Sequence, residues 1–174
     1  MRAAVLAVVD TNVLLIANLR HPGISPEGVI ACIEWLERIR KEGCIVLDDA
    51  YEIVREYNRK TSPNTGNQVG DAFLKWLLEN FGDSNRVDQV HIRKHASRGY
   101  VEFPDDAELV DFDRTDRKFV AVANAHAERP CILQGSDAKW LNWSERLSVH
   151  GIRVEFLCRA DIERFNRRKR SSRI

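Results

Sequence analysis

Apolar residues recur along this chain in two alternating rhythms. Residues 4–9 form a continuous apolar, β-branched run that stops at Asp10. Such runs mark strands covered on both faces, as in a parallel sheet. Residues 27–41 switch to helical spacing, with Val29, Ile30, Ile33, Leu36 and Ile39 three and four apart. Ser25 is placed to cap that helix, Pro26 suits its first turn and Gly43 its end. A short apolar strand follows at 44–47, then Asp48-Asp49 ahead of a helix over 50–59, where acids are favourable. Residues 61–70 hold Pro63, Asn64, Gly66 and Gly70 and read as a loop. Residues 72–81 read as a helix carrying Phe73, Trp76, Leu77 and Phe81. The stretch 82–112 is ambiguous, with 87–92 open to strand or helix. A strong helix begins at Asp116, with Phe119, Val120, Val122 and Ala123 apolar. Then come a strand at 131–133, a helix at 140–149, a strand at 152–157 and a final basic helix over 160–168. Short apolar strands alternating with helices predict an α/β fold with a largely parallel sheet.

The bulk properties narrow this picture. A chain of 174 residues, 44% hydrophobic and 30% charged, suits one globular domain with an ordinary core. No internal repeat or domain linker interrupts it. Arg2 ahead of an apolar run resembles a leader, but Asp10 breaks the run and no small-residue cleavage pattern follows. A cytoplasmic protein is expected. Cys32, Cys44, Cys131 and Cys158 all lie in apolar surroundings without a C-x-x-C pair. They read as buried thiols rather than zinc ligands. The net charge of +1 conceals a basic end, since residues 164–174 hold six basic side chains and no acid. This end reads either as a solvated helix terminus or as a phosphate-holding tail through Arg167, Arg168, Lys169 and Arg170. The division is therefore a main domain at 1–163 and a basic end at 164–174.

The candidate chemistry lies in the acids. Asp10 sits where the first strand gives way to a loop, the edge at which open α/β sheets bind ligands. Glu56 lies on the helix after the second strand, Asp116 opens the strong helix, and Asp137 follows the strand at 131–133. In a parallel sheet these points converge. Clustered carboxylates repel one another unless a cation intervenes, and hard oxygen donors select Mg²⁺ or Mn²⁺. Such a site suits phosphodiester hydrolysis.

The opening Val8-Val9-Asp10-Thr11-Asn12-Val13-Leu14, the segment Ile53-Val54-Arg55-Glu56-Tyr57, the stretch from Phe112 to Ala123 and the turn Gly135-Ser136-Asp137-Ala138-Lys139-Trp140 together resemble the PIN-domain nucleases. The resemblance spans nearly the whole chain. It implies a three-layer α/β/α sandwich and Mg²⁺- or Mn²⁺-dependent cleavage, chiefly of single-stranded RNA, leaving a 5′-phosphate and a 3′-hydroxyl. It further implies a toxin-type role for many small members, which makes a protein antitoxin or a homodimer the protein partners to consider. The fourth motif departs from the family pattern, because Gly135-Ser136 stands where an acid often follows the strand. Cleavage of single-stranded or flap DNA, and a non-cleaving RNA- or protein-binding module, remain as alternatives.

Several residues have rival readings. Glu56 is preferred to Glu52, one turn earlier on the same helix face. Asn12 is expected to brace the loop by hydrogen-bonding Asp10. Asp113 is expected to cap the helix that Asp116 enters. Asp137 suits a ligand or a cap equally, and Ser136 supports the turn. Ser136 has no recognisable His partner in the sequence, which disfavours a serine nucleophile. His91 and His95 would share a helix face but lack a further ligand for zinc. Among Trp35, Trp76, Trp140 and Trp143, Trp140 is the best placed to stack a base. A haloacid-type phosphatase would need an acid two residues after Asp10, where Asn12 stands.

Overall fold

The computed structural model describes residues 5–172. The first residue of the expected strand at 4–9 and the end of the basic segment, 173–174, lie outside them. A five-stranded parallel sheet is flanked by seven helices among the described residues, giving a three-layer α/β/α sandwich. The chain runs β1 (Val5–Val9), α1 (Thr11–Ala17), α2 (Pro26–Glu42), β2 (Gly43–Asp48), α3 (Glu52–Lys60), α4 (Val69–Glu79) and β3 (Val87–Val90). A small antiparallel hairpin, β4 (Lys94–His95) and β5 (Gly99–Tyr100), and a 3-10 turn at Ala107–Leu109 follow. The chain closes with α5 (Arg117–Ala125), β6 (Cys131–Gln134), α6 (Lys139–Val149), β7 (Val154–Phe156) and α7 (Arg159–Ser171).

The sheet order is β3-β2-β1-β6-β7. From β1 the chain winds outward through β2 and β3, then returns to the other side of β1 for β6 and β7. The order therefore reverses between β1 and β6, and a crevice opens beyond the carboxyl ends of those two strands. The backbone N–H of Asp10 donates to the Leu133 carbonyl at 2.9 Å and ties the two ends together there. Helices α1, α2 and α4 pack together, while α5 lies across β1, β2 and β6.

Local chemistry explains the elements. All six residues of β2 are buried, as expected for a strand covered on both faces. Ser25 caps α2 by accepting from the Gly28 N–H, with Pro26 in the first turn. Gly43 joins α2 directly to β2, and a Cβ there would lie 2.8 Å from Ile39 Cα and 2.9 Å from the Val5 carbonyl oxygen. Only glycine permits that approach. Asp48 is fully buried and accepts from the Glu52 and Ile53 N–H groups at 2.8 and 2.9 Å, capping α3.

The structure adds α1, which the hydrophobic pattern left unassigned, and starts α4 at Val69, inside the expected loop. The ambiguous stretch 82–112 contains β3, the hairpin and the 3-10 turn. Its later part is held from a distance by Arg117, which is buried and donates to the carbonyls of Phe112, Arg98 and Val110. The basic end is a continuation of α7. That helix is docked through Asp161, which accepts from Ser25 N and Oγ at 3.0 and 2.9 Å, and through the fully buried Ile162. The four cysteines are free, and Cys32, Cys44 and Cys158 are buried. Among the described residues, no helix is long and apolar enough to cross a membrane.

Candidate active site

Four acids from four separate elements meet beyond the ends of β1 and β6. Asp10 follows β1 and caps α1, accepting from the Asn12 N–H at 2.9 Å. It is only 4% exposed. Burial, reinforced by the charges of Asp116, Glu56 and Asp137, pushes its carboxyl up to about 8, against the pull of the Asn12 hydrogen bond. Near neutrality Asp10 therefore keeps its proton. The same three charges are the acids expected from the sequence, so the fold brings all four candidates within electrostatic reach.

Asp116 occupies the N-cap position of α5. Burial, with Asp113 and Asp137 nearby, raises its carboxyl to about 6, although Trp140 and Lys118 oppose the rise. Trp140 Nε1 donates to Asp116 Oδ2 at 3.2 Å. Trp140 is 1% exposed and meets Phe112 edge-on with ring centroids 5.0 Å apart. It is thus unable to stack a base. It positions an acid instead, because its indole N–H needs a partner once buried. Trp143, half-buried, lines a cavity of about 280 Å³ with Asp116 and Lys139.

Glu56 accepts from Thr11 Oγ1 at 2.5 Å, and its second oxygen lies 2.6 Å from Lys118 Nζ. Sequence reasoning missed both partners. One signal was available for Lys118: it sits in the first turn of a largely apolar helix, directly before Phe119 and Val120, so an ammonium buried there must find a counter-charge. Glu52 is committed elsewhere, 2.6 Å from Lys94 Nζ and hydrogen-bonded by Tyr100. Burial would raise the Glu52 carboxyl, but Lys94 and Tyr100 outweigh it and the net shift is downward. Of the two, only Glu56 acts on Asp10. Tyr57, next to Glu56, is buried and donates to the Val9 carbonyl, pinning α3 to the end of β1. Burial and the surrounding acids hold its phenol well above the usual range.

Asp137 is half-buried and accepts from the Lys139 N–H at 2.9 Å, so it shapes the turn into α6 while its charge acts on Asp10 and Asp116. Four supporting roles are corrected. Asp113 does not cap α5. It accepts from Thr115 N and Oγ1 at 2.9 and 2.8 Å, closing a turn just before the helix. Asn12 braces Asp10 through its backbone N–H rather than its side chain. Ser136 does have a His partner, since its Oγ lies 3.2 Å from His21 Nε2. His21 Nδ1 faces only the Pro22 carbonyl, 3.3 Å away, so no carboxylate orients this ring as a nucleophile's base. His91 and His95 lie on β4 and the segment before it rather than on one helix, and His91 pairs with Asp49 at 2.9 Å.

Basic side chains flank the acids on both sides. Arg55, Arg59, Arg114 and Lys118 line a cleft of about 350 Å³ beside Glu56. On the other side, Lys139, Arg168 and Lys169 line a cavity of about 570 Å³ beside Asp137. Of the four expected phosphate contacts on α7, Arg168 and Lys169 face this cavity. Arg167 and Arg170 are exposed outside its wall.

The donor set fits a hard divalent cation in chemistry: carboxylate oxygens, crowded enough that one retains a proton and another holds a lysine. Among the described residues, no three acidic, His or Cys side chains stand close enough to share an ion as placed. Binding one requires Asp10 to ionise and side chains to turn toward a common point. No protein-family model, no curated protein and no solved structure matches this chain.

Proposed function

We propose that this chain is a metal-dependent phosphodiesterase that cuts single-stranded nucleic acid, RNA before DNA. One observation carries the reading: Glu56, Asp116 and Asp137 all act on the buried Asp10 at the point where the strand order reverses, with cationic clefts on either side. Burying mutually repelling carboxylates costs stability, and a structural role would be met more cheaply by neutral side chains. The preference for RNA follows the resemblance to PIN-domain nucleases.

Mg²⁺ or Mn²⁺, held by Asp10 and Asp116 with Glu56 and Asp137 as further donors, would supply activation of water and neutralisation of charge on the scissile phosphate. The chain's own groups do the rest. The Asn12 N–H and the Leu133 carbonyl fix Asp10, and the Trp140 indole fixes Asp116. Arg55, Arg59 and Arg114 offer guanidinium forks to backbone phosphates entering one cleft. Lys118 balances Glu56 and stands ready to meet negative charge on a bound phosphate.

The Lys118–Glu56 pair also favours a second reading, in which an internal cation replaces the metal and the chain binds nucleic acid without cutting it. Labelled single-stranded RNA, single-stranded DNA and a flap, each incubated with Mn²⁺ or EDTA, separate the two. The nuclease reading expects cleavage with Mn²⁺, none in EDTA and none by Asp10→Asn. Binding without cleavage under every condition would support the second reading.

A further inference from the structure

The cavity beside Asp137 is unlike the cleft beside Glu56. Its walls come from segments remote in sequence: Asn12 of α1 and His21 of the loop after it, the turn from β6 into α6, and the face of α7. His21 Nε2 meets Ser136 Oγ at 3.2 Å across its floor, and Ser136 is buried. Lys139, Arg168 and Lys169 bring three cations around it, and Phe165 contributes a half-buried ring. That ring is backed by Gly23, where φ is +78° and a Cβ would lie 3.4 Å from Phe165 Cε1. The Gly23 loop thus meets the edge of the ring, the Arg164 guanidinium lies over it 5.4 Å from the centroid, and the ring also lines the cavity. At about 570 Å³ the space is of the size that holds small ligands.

The opposite cleft offers guanidinium groups, but its one aromatic residue, Tyr100, is buried and bonded to Glu52. It can grip phosphates and has no free ring face for a base.

We propose that the His21–Ser136–Phe165 cavity is a nucleotide subsite of the same centre, in which Lys139, Arg168 and Lys169 hold a phosphate while the adjoining base stacks on Phe165. This rests on the nuclease reading and deepens it. A base can reach Phe165 only when unpaired, so the subsite selects single strands and treats the two sides of the scissile bond differently. Asp137 at the cavity's inner edge keeps the phosphate on the cationic side and places the next one toward the acids. His21 and Ser136 give the floor two polar groups for a phosphate or sugar oxygen.

The test is fluorescence anisotropy with a labelled single-stranded RNA in EDTA, so that nothing is cut, beside a blunt duplex of the same sequence. Base stacking on an aromatic ring commonly contributes roughly a 5- to 150-fold change in affinity. Phe165→Leu is expected to weaken single-strand binding within that range, leave the salt slope unchanged and leave duplex binding unaltered. A double change, Arg168→Gln with Lys169→Gln, is expected to reduce the salt slope by about 1.4, at roughly 0.7 per phosphate contact on single strands. An oligonucleotide carrying abasic sites, bound to the unaltered protein, should reproduce the Phe165→Leu loss and so guards against a folding defect. If the unaltered protein binds and cuts single strands but is indifferent to Phe165→Leu and to abasic sites, the subsite is wrong and the nuclease reading stands. If it neither binds nor cuts any strand, both fail.

Discussion

The ammonium of Lys118 lies 2.6 Å from Oε2 of Glu56, inside the group of acids gathered at the edge of the sheet. Lys118 is also hydrogen-bonded to the Thr115 carbonyl and rests over the Phe119 ring at 4.8 Å. With side-chain exposures of 8% and 19%, the pair is largely withdrawn from water. Removing one partner strands the other.

Lys118→Met is therefore expected to lower the stability of the metal-free protein by about 2 kcal/mol, below the ~3–5 of a fully buried pair. Saturating Mn²⁺ should recover part of that loss, because an added cation relieves the same charge. Thermal melts with and without Mn²⁺ check this. Equal melting temperatures for both proteins without metal would show that the pair contributes nothing.

Glu56 and Glu52 separate cleanly on their partners. Glu56→Gln should abolish cleavage while Glu52→Gln retains most of it and loses some stability, since Lys94 and Tyr100 lose their acceptor. Cleavage rates of both variants at saturating RNA decide between them. A dead Glu52→Gln protein beside an active Glu56→Gln protein would move the site one turn along α3.

Trp140→Phe keeps an aromatic ring against Phe112 but removes the N–H that holds Asp116. Partners that orient a metal-binding residue commonly contribute 10- to 100-fold, so a loss of about 10-fold in Mn²⁺ affinity or activity is expected, beside a lower melting temperature from the cavity that the smaller ring leaves. Unchanged affinity and activity would reduce the indole to packing.

The pH dependence follows from Asp10, whose carboxyl lies at about 8 in the fold against an ordinary 3.8. Below the ordinary value both folded and unfolded chains hold the proton, and the group contributes nothing. Between the two values the unfolded chain binds fewer protons, so stability falls as pH rises, and the fall ends above about 8. The slope is up to about 1.4 kcal/mol per pH unit. Asp116, raised to about 6, adds to it in the lower part of the window. Denaturant titrations of the metal-free protein should show this decline, and Asp10→Asn should be more stable at neutral pH with a shallower slope. Superimposable profiles would contradict the burial of a repelled acid.

The sheet and most helices were legible because their signals are local. The apolar run before Asp10, the Ser25-Pro26 cap and the Asp48 cap each announce an element within a few residues. Helix α1 was not, since Val13, Leu14 and Ile16 after Asp10 read as apolar without revealing a period in so short a segment. The stretch 82–112 depends on carbonyls that Arg117 holds from the next helix, a contact no local pattern carries. The site divides in the same way. Three acids could be placed at strand and helix ends and Glu56 on the helix after β2, but the burial of Trp140, and the meeting of His21 with Ser136 across 115 positions, arise only from tertiary packing.

The central claim is that Asp10 and Asp116 belong to one divalent-metal site. Titration of the purified protein with Mn²⁺, followed by the electron paramagnetic resonance signal of the free ion, tests it most directly. Binding should be stoichiometric, tighten about tenfold per pH unit below about 8 as Asp10 gives up its proton, and weaken at least tenfold in Asp10→Asn and in Asp116→Asn, both still folded. Equal Mn²⁺ binding by all three proteins, or none by any, would contradict it.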